Sequence, residues 1–490
     1  MKKSVYSRVE NLYKIHEIYF SQLEKDFEKD FSIGSQIIRD TIKRMLVESF
    51  DSGQKEHLQN RTSFLKSFLN YYLVMFYFLF LSIFGKRKMI KQKFDLLLEN
   101  WSGNNFEPFY ERIYEKFVNK YNIGILDVNK ELKEDFFPAK STIISKNSNH
   151  KHFYSNSVSY LIVRKEFTKF FKYRNLSLSS NIDFVNISLR LLRYIAVYNT
   201  DTENLKAEFL ISASDNHYNS LRYFIYKTNG IKNILLIQNG IRSGHMSNSS
   251  GDMYTYCDYY LGFGDQTISS QKGMVCKYKL SMGSLRLYNN TYSIHCSNKN
   301  ENEIIFIEQL ALLKTEDYNY ETYLYIIDML CNFAKEYPKY KIIYKTRPNR
   351  FKRYAKNFLM LEHIKIIDKK LIDVNITIDE HISKNSYEAI LKSNVVVYYN
   401  STMGFESLGL NKKVFCCNLD RQDFQISQND EIGVLISKSY KLFEEKLLYL
   451  VDNDNEVIRN YYNNKKLEFM NLQVDPIDII SKIVYKEINK

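Results

Sequence analysis

Asn394-Val-Val-Val-Tyr-Tyr-Asn-Ser-Thr-Met-Gly-Phe-Glu-Ser-Leu-Gly409 is the stretch on which the fold turns. Its β-branched apolar run reads as a strand ending at Asn400-Ser401-Thr402, and the residues that follow have the pattern of a helix. A strand that hands small hydroxyl residues to a helix N-terminus makes an anion site, because free N–H groups and the helix dipole favour negative charge there. Upstream, Lys345-Thr-Arg-Pro348 follows a second apolar run, Lys341-Ile-Ile-Tyr344, and brings two positive charges to a strand end, where ligands of open α/β sheets gather. The pair of motifs implies a diphosphate or a nucleotide monophosphate, and hence an enzyme. A plainer reading stands beside this one. Ser401 is also a good N-cap, and Lys345 and Arg347 also begin a basic edge continued by Arg350, Lys352 and Arg353.

The alternation extends in both directions from this stretch. Glu303–Ile307 reads as a strand, Tyr320–Glu336 as a helix and Lys341–Tyr344 as a strand, followed by the apolar run His363-Ile-Lys-Ile-Ile367. Beyond it come helix 383–392, strand 395–399, helix 402–408, strand 414–417, and helices 440–451 and 477–487, the last preceded by Pro476. On the other side, Glu208–Ala213 (strand), His217–Thr228 (helix) and Asn233–Ile237 (strand) make a βαβ unit broken at Asn229-Gly230, and Tyr259–Phe263 is a further strand. The polar stretch from Asn289 to Asn302 reads as a linker. Strands alternating with helices in two blocks predict an α/β chain with two Rossmann-like parallel-sheet domains facing a cleft, at 111–297 and 298–490.

Residues 1–110 read as a helical region, with Ile15, Ile18 and Leu23, then Ile37, Ile38, Ile42 and Leu46 at roughly helical spacing. Within it Phe68–Phe84 carries no charge, follows Lys66 and precedes Lys86-Arg87-Lys88. Three readings are open: a short membrane span, a helix buried in the protein, or attachment to an anionic inner-membrane surface. All three leave the rest of the chain in the cytoplasm. The six cysteines form no C-x-x-C pair, which fits reduced cytoplasmic thiols, and the N-terminus has no apolar signal segment. A net charge of +13 suits an anionic partner. With no zinc-finger spacing, RNA-binding signature or basic cluster interleaved with aromatics, a nucleic-acid partner is not expected. No His/Cys spacing supports a metal site, and no cofactor is expected beyond the substrates.

The ordered set Gln238-Asn-Gly240, Gly262-Phe-Gly-Asp265, Gly283-Ser284, Lys345-Thr-Arg-Pro348 and Ser401-Thr402 with Phe405-Glu406 resembles GT-B-fold bacterial surface-polysaccharide transferases. The nearest groups are capsule-type Kdo transferases, bacterial sialyltransferases and CDP-glycerol transferases. The resemblance covers roughly residues 200–480. It implies a GT-B-like glycosyltransferase that takes a nucleotide-sugar, a CMP-sugar first among them, and a saccharide or lipid-linked acceptor. Transfer of glycerol phosphate from CDP-glycerol is the alternative chemistry, and a non-catalytic membrane-associated scaffold the alternative class. It also implies that Lys345, Arg347, Pro348, Asn400, Ser401 and Thr402 hold the donor phosphate, and that Glu406 contacts a ribose. Two departures bear on mechanism. Asn239 stands where relatives carry histidine in Gln-His-Gly, and Arg347 where they carry the histidine of a His-Pro pair. Arginine grips phosphate but stays protonated and cannot serve as an acid near neutral pH.

A base is needed to take the acceptor hydroxyl proton. Asp215, then His217, are expected to supply it from the end of strand 208–213, with a helix cap as the plainer role for Asp215. Gln238, Asn239 and Gly240, with Arg242 and His245 on the loop beyond, are expected to line the acceptor side. Glu308-Gln309 hold the corresponding place at the head of the second domain.

Overall fold

The computed structural model describes residues 5–51, 64–84, 91–100, 106–127, 142–145, 156–180, 182–213, 220–240, 256–269, 274–291, 300–309, 320–347, 350–355, 357–379, 386–421, 425–427 and 429–489. Two all-parallel sheets dominate. The first contains β1 (Gln92–Asn100), β2 (Ile123–Asp127), β3 (Thr142–Ser145), β4 (Leu205–Ser212), β5 (Ile231–Ile237), β6 (Tyr256–Gly262) and β7 (Val275–Ser281), in the order β3-β2-β1-β4-β5-β6-β7. The second contains β8 (Glu303–Ile307), β9 (Lys341–Lys345), β10 (Thr377–Asp379), β11 (Val395–Tyr398), β12 (Lys413–Cys417) and β13 (Val434–Leu435), in the order β10-β9-β8-β11-β12-β13. Counted from its own first strand, the second sheet runs 3-2-1-4-5-6 and the first 3-2-1-4-5-6-7, the order of a doubly wound sheet that reverses its winding between strands 1 and 4. The expected α/β class, with two Rossmann-like parallel sheets, is the observed one.

Burial explains why these strands were legible. Every residue of β8, β11 and β12 is buried, as it must be when helices cover both faces of a parallel sheet, so each reads as an unbroken apolar run. Strand β1 was not legible. Gln92–Asn100 falls inside the stretch expected to be helical over 1–110, yet it lies at the centre of the first sheet between β2 and β4. Its apolar core, Leu96-Leu-Leu98, is short and framed by Asp95 and Glu99, which hides it from a periodicity search. The run His363–Ile367 belongs to helix Phe358–Ile372. Asn289–Thr291, the expected start of the linker, is the end of helix Leu285–Thr291.

The helical layer extends beyond the N-terminal segment. Helices Val5–Ile15, Glu17–Phe31, Ser35–Asp51 and Phe64–Phe84 share one core with Asn156–Glu166, Phe170–Ser180 and Phe184–Thr202. Phe20, Leu23, Ile38, Met75, Tyr173 and Leu192 lie at its centre, and Leu221 and Ile225 of helix Ser220–Thr228 bind the layer to the first sheet. The chain also returns at its end. Helix Pro476–Ile488, capped by Asp475 with proline in its first turn, packs Ile477, Ile480, Ile483 and Val484 against Leu96, Leu98 and Ile211 of the first sheet.

Candidate functional site

The winding of the second sheet reverses between β8 and β11, which pair in register from Ile304↔Val395 to Ile307↔Tyr398. Ligands of such sheets bind outside the strand ends at this point. Ser401 follows β11 in extended conformation, and its Oγ accepts the Met403 N–H at 3.3 Å, capping helix Thr402–Gly409. A Cβ on Gly404 would overlap the ring of Tyr398. The glycine lets the helix lie directly on β11. Asn400 and Thr402 are half-buried beside the cap.

Charges around this point are sorted by burial. Glu308, at the end of β8, accepts the backbone N–H of Arg347 at 2.9 Å, Arg350 Nη1 at 3.0 Å and the Tyr344 hydroxyl at 3.3 Å. Burial pushes its carboxyl up, while the Arg347 N–H and the Arg350 guanidinium work the other way. Arg350, itself buried, completes its pairing with Asp368 at 2.7 Å. Lys345 is equally internal: its ammonium lies 3.0 Å from Asp379, with side chains only 4% and 6% exposed. A lysine paired inside the protein in this way ties the end of its strand to the neighbouring one. Arg347 differs. It is half-buried, and its guanidinium donates to Gln309 Oε1 at 2.9 Å. Because β8 lies between β9 and β11, this bond carries the charge from its own strand to the head of the next. The next strand across the sheet is β11, which leads to Ser401.

Other motif residues form a seam between the sheets. Gln238 is buried and satisfied: its Nε2 donates to the Gly240 carbonyl at 2.7 Å, and its Oε1 accepts the Phe263 N–H at 2.8 Å. The Phe263 carbonyl in turn accepts the Asn471 N–H of the second domain at 2.7 Å. Gly283 has φ 79°, and a side chain there would strike Leu472. Ser284 donates to Glu406 Oε1 at 2.6 Å, and the Tyr387 hydroxyl donates to Oε2 at 2.8 Å. Both oxygens of Glu406, the residue expected to contact a ribose, are therefore engaged in a cross-domain tie, and the residue is 2% exposed. Burial pushes its carboxyl up, with nearby Arg286 opposing. Asn239 is half-buried next to this seam and Gly240 is buried in it. The elements that carry the resemblance thus divide between the strand ends of the second sheet and a seam between the two sheets.

At the reversal point of the first sheet, sequence reasoning missed a group. Glu99, ending β1, pairs with Arg222 of helix Ser220–Thr228, and both are buried. The Tyr110 hydroxyl links the Glu99 carbonyl at 2.6 Å to the Ala213 N–H at 2.7 Å. Next to them Asn100 is fully buried, with neither amide atom hydrogen-bonded. The signal available was the pair Glu99-Asn100 at a strand end, matching Glu308-Gln309 in the second domain. Asp215, His217, Arg242, His245 and Pro348 lie outside the described residues.

No family model matches the sequence, and no curated protein matches it. Solved structures similar in shape include a Listeria monocytogenes protein described as a UDP-N-acetylglucosamine 2-epimerase, at 9% identity and TM-score 0.46, covering 82% of this chain and 98% of that one. The wall teichoic acid polymerase TagF matches at 11% identity and TM-score 0.45, over 87% of this chain and 97% of its own. A Neisseria meningitidis UDP-GlcNAc 2-epimerase bound to UDP-GlcNAc matches at 12% and 0.44, over 81% and 100%. Likeness at this level concerns chain architecture and does not transfer a reaction.

Proposed function

We propose that the chain is a GT-B-like transferase that moves a sugar from a nucleotide-activated donor, a CMP-sugar in the first instance, to a surface polysaccharide or glycan acceptor. One observation carries this reading: Arg347 is held half-exposed over β8 by Gln309, one strand from the helix N-terminus capped by Ser401. A guanidinium and a set of helix N–H groups converging on one crevice suit a phosphate whose charge grows as the glycosidic bond breaks. Arg347 remains protonated throughout, so it offsets charge and takes no proton. The base acting on the acceptor hydroxyl is assigned to Asp215, with His217 second. The acceptor, a saccharide or a lipid-linked glycan, is assigned to the first domain, beside Gln238–Gly240, Arg242 and His245.

Thermal-shift measurements with CMP, CDP, UDP and GDP test the donor half, since a ligand that binds only the folded state must raise apparent stability. Stabilisation by one nucleotide, lost in Arg347→Ala and reduced in Ser401→Ala, is expected. No response to any of them at millimolar concentration overturns the proposal.

A further inference from the structure

Helix Phe64–Phe84 has two faces that differ in partner and not in polarity. Tyr71, Met75, Phe78 and Leu81 are buried in the helical-layer core, and the Tyr71 hydroxyl is anchored to the Glu166 carbonyl at 2.6 Å. The opposite face carries Leu65, Leu69, Leu73, Phe76, Phe80 and Ile83, each half to two-thirds exposed. At about 100° per residue these six fall within an arc of roughly 80°, running nearly 30 Å along the helix. Phe171 continues the face at one end, its ring 6.4 Å from that of Phe64, and it is itself exposed. A helix on the surface of a globular protein normally turns charged residues outward. The sole charged residue in this helix is Lys66.

We infer that this face docks, lying flat, on the surface of an anionic phospholipid bilayer. The helix is long and apolar enough to span a membrane, but spanning would pull Tyr71, Met75, Phe78 and Leu81 out of their core, and each is at most 1% exposed. In-plane insertion keeps that packing and removes the exposed stripe from water. Charge selects lipid over a second copy of the chain. From His57 to Phe94 the sequence holds seven Lys and Arg and no Asp or Glu. Two such faces brought together would set like charges against each other, whereas an anionic leaflet attracts each basic residue near its surface. This inference stands apart from the proposed reaction and survives its failure.

The test is flotation of the full chain with vesicles of phosphatidylcholine containing 30% phosphatidylglycerol, alongside vesicles of phosphatidylcholine alone. The chain is expected to float with the anionic vesicles and to bind the neutral ones at least tenfold more weakly. Leu69→Ser/Leu73→Ser/Phe76→Ser, all exposed, should cut anionic binding at least tenfold with an unchanged melting temperature. Lys66→Glu should weaken it less. Absence of wild-type flotation, or equal flotation of the triple variant, overturns the inference. So does retention in the membrane after alkaline carbonate washing, which would show a span. A dimer in sedimentation velocity, dissolved by the triple variant in a chain that does not float, would instead assign the face to self-association.

Discussion

The two sheets end their central strands with the same chemistry and put it to different use. In each, a glutamate followed by a side-chain amide sits where the winding reverses: Glu99-Asn100 as the last two residues of β1 and Glu308-Gln309 just after β8. Each glutamate pairs with a buried arginine, Arg222 in the first domain and Arg350 in the second. The amides part company. The Asn100 side chain is buried and has no hydrogen-bond partner among the described residues, whereas Gln309 holds a second arginine, Arg347, at the edge of solvent. A buried ion pair is an organising device, and removing one member leaves the other charge stranded. A part-exposed guanidinium on a fixed support is available to an anion. The second sheet has both; among the described residues the first shows only the buried pair.

The largest expected effect comes from breaking what the two ends share. Arg222→Ala and Arg350→Ala should each cost about 3–5 kcal/mol of unfolding free energy by leaving Glu99 or Glu308 buried and unpaired, measured by denaturant unfolding. Lys345→Ala belongs in the same class, because Asp379 would lose a buried partner of opposite charge at 3.0 Å. A near-neutral result for Lys345→Ala combined with lost nucleotide binding would return that lysine to the ligand site.

The helix that carries Arg222 is braced from outside by Asp40, which hydrogen-bonds Gln36 at 2.7 Å and Ser220. Burial raises the Asp40 carboxyl from 3.8 to about 6. The folded protein then holds this proton more tightly than the unfolded chain does, so the contribution of Asp40 to stability is greatest below pH 4, falls between pH 4 and 6, and stays low above. A difference of that size is worth about 3 kcal/mol. Asp40→Asn should flatten this part of the pH–stability curve and raise the melting temperature at pH 8. An unchanged curve would separate the first domain's ion pair from the helical layer.

Two smaller effects sharpen the contrast from the ligand side. Arg347→Ala should weaken binding of the preferred nucleotide by about 2 kcal/mol, roughly thirtyfold, the scale of a charge-assisted hydrogen bond, with unfolding free energy nearly unchanged. Isothermal titration and denaturant unfolding on the same variant check both halves. Ser401→Ala should cost about 1 kcal/mol of stability as an N-cap, seen as a modest drop in melting temperature. A larger drop would mean that the cap is part of the domain seam.

The strands of the second sheet could be read almost to the residue because Ile304–Ile307, Val395–Val397 and Val414–Cys417 are buried on both sides and carry no polar interruption. Strand β1 was hidden, for the opposite reason, by Asp95 and Glu99. The Ser401 turn was legible as a cap, and its anion-site reading rests on Arg347, whose aim depends on Gln309, a residue 38 positions away. Lys345 and Arg347 look equivalent two residues apart in sequence. Asp379, reached only after two helices and at the end of a further strand, makes one internal and leaves the other at the edge.

By itself the sequence determined the class of fold, the alternation of strands and helices, and a helix N-terminus suited to an anion, because each of these is set by local periodicity, capping and turn chemistry. The tertiary structure decided which charges are internal, which glycines and hydroxyls serve the seam between domains, and which side of the Phe64–Phe84 helix is left uncovered. Those outcomes depend on what long-range packing brings beside each residue, and burial by a distant segment leaves no mark on the local pattern.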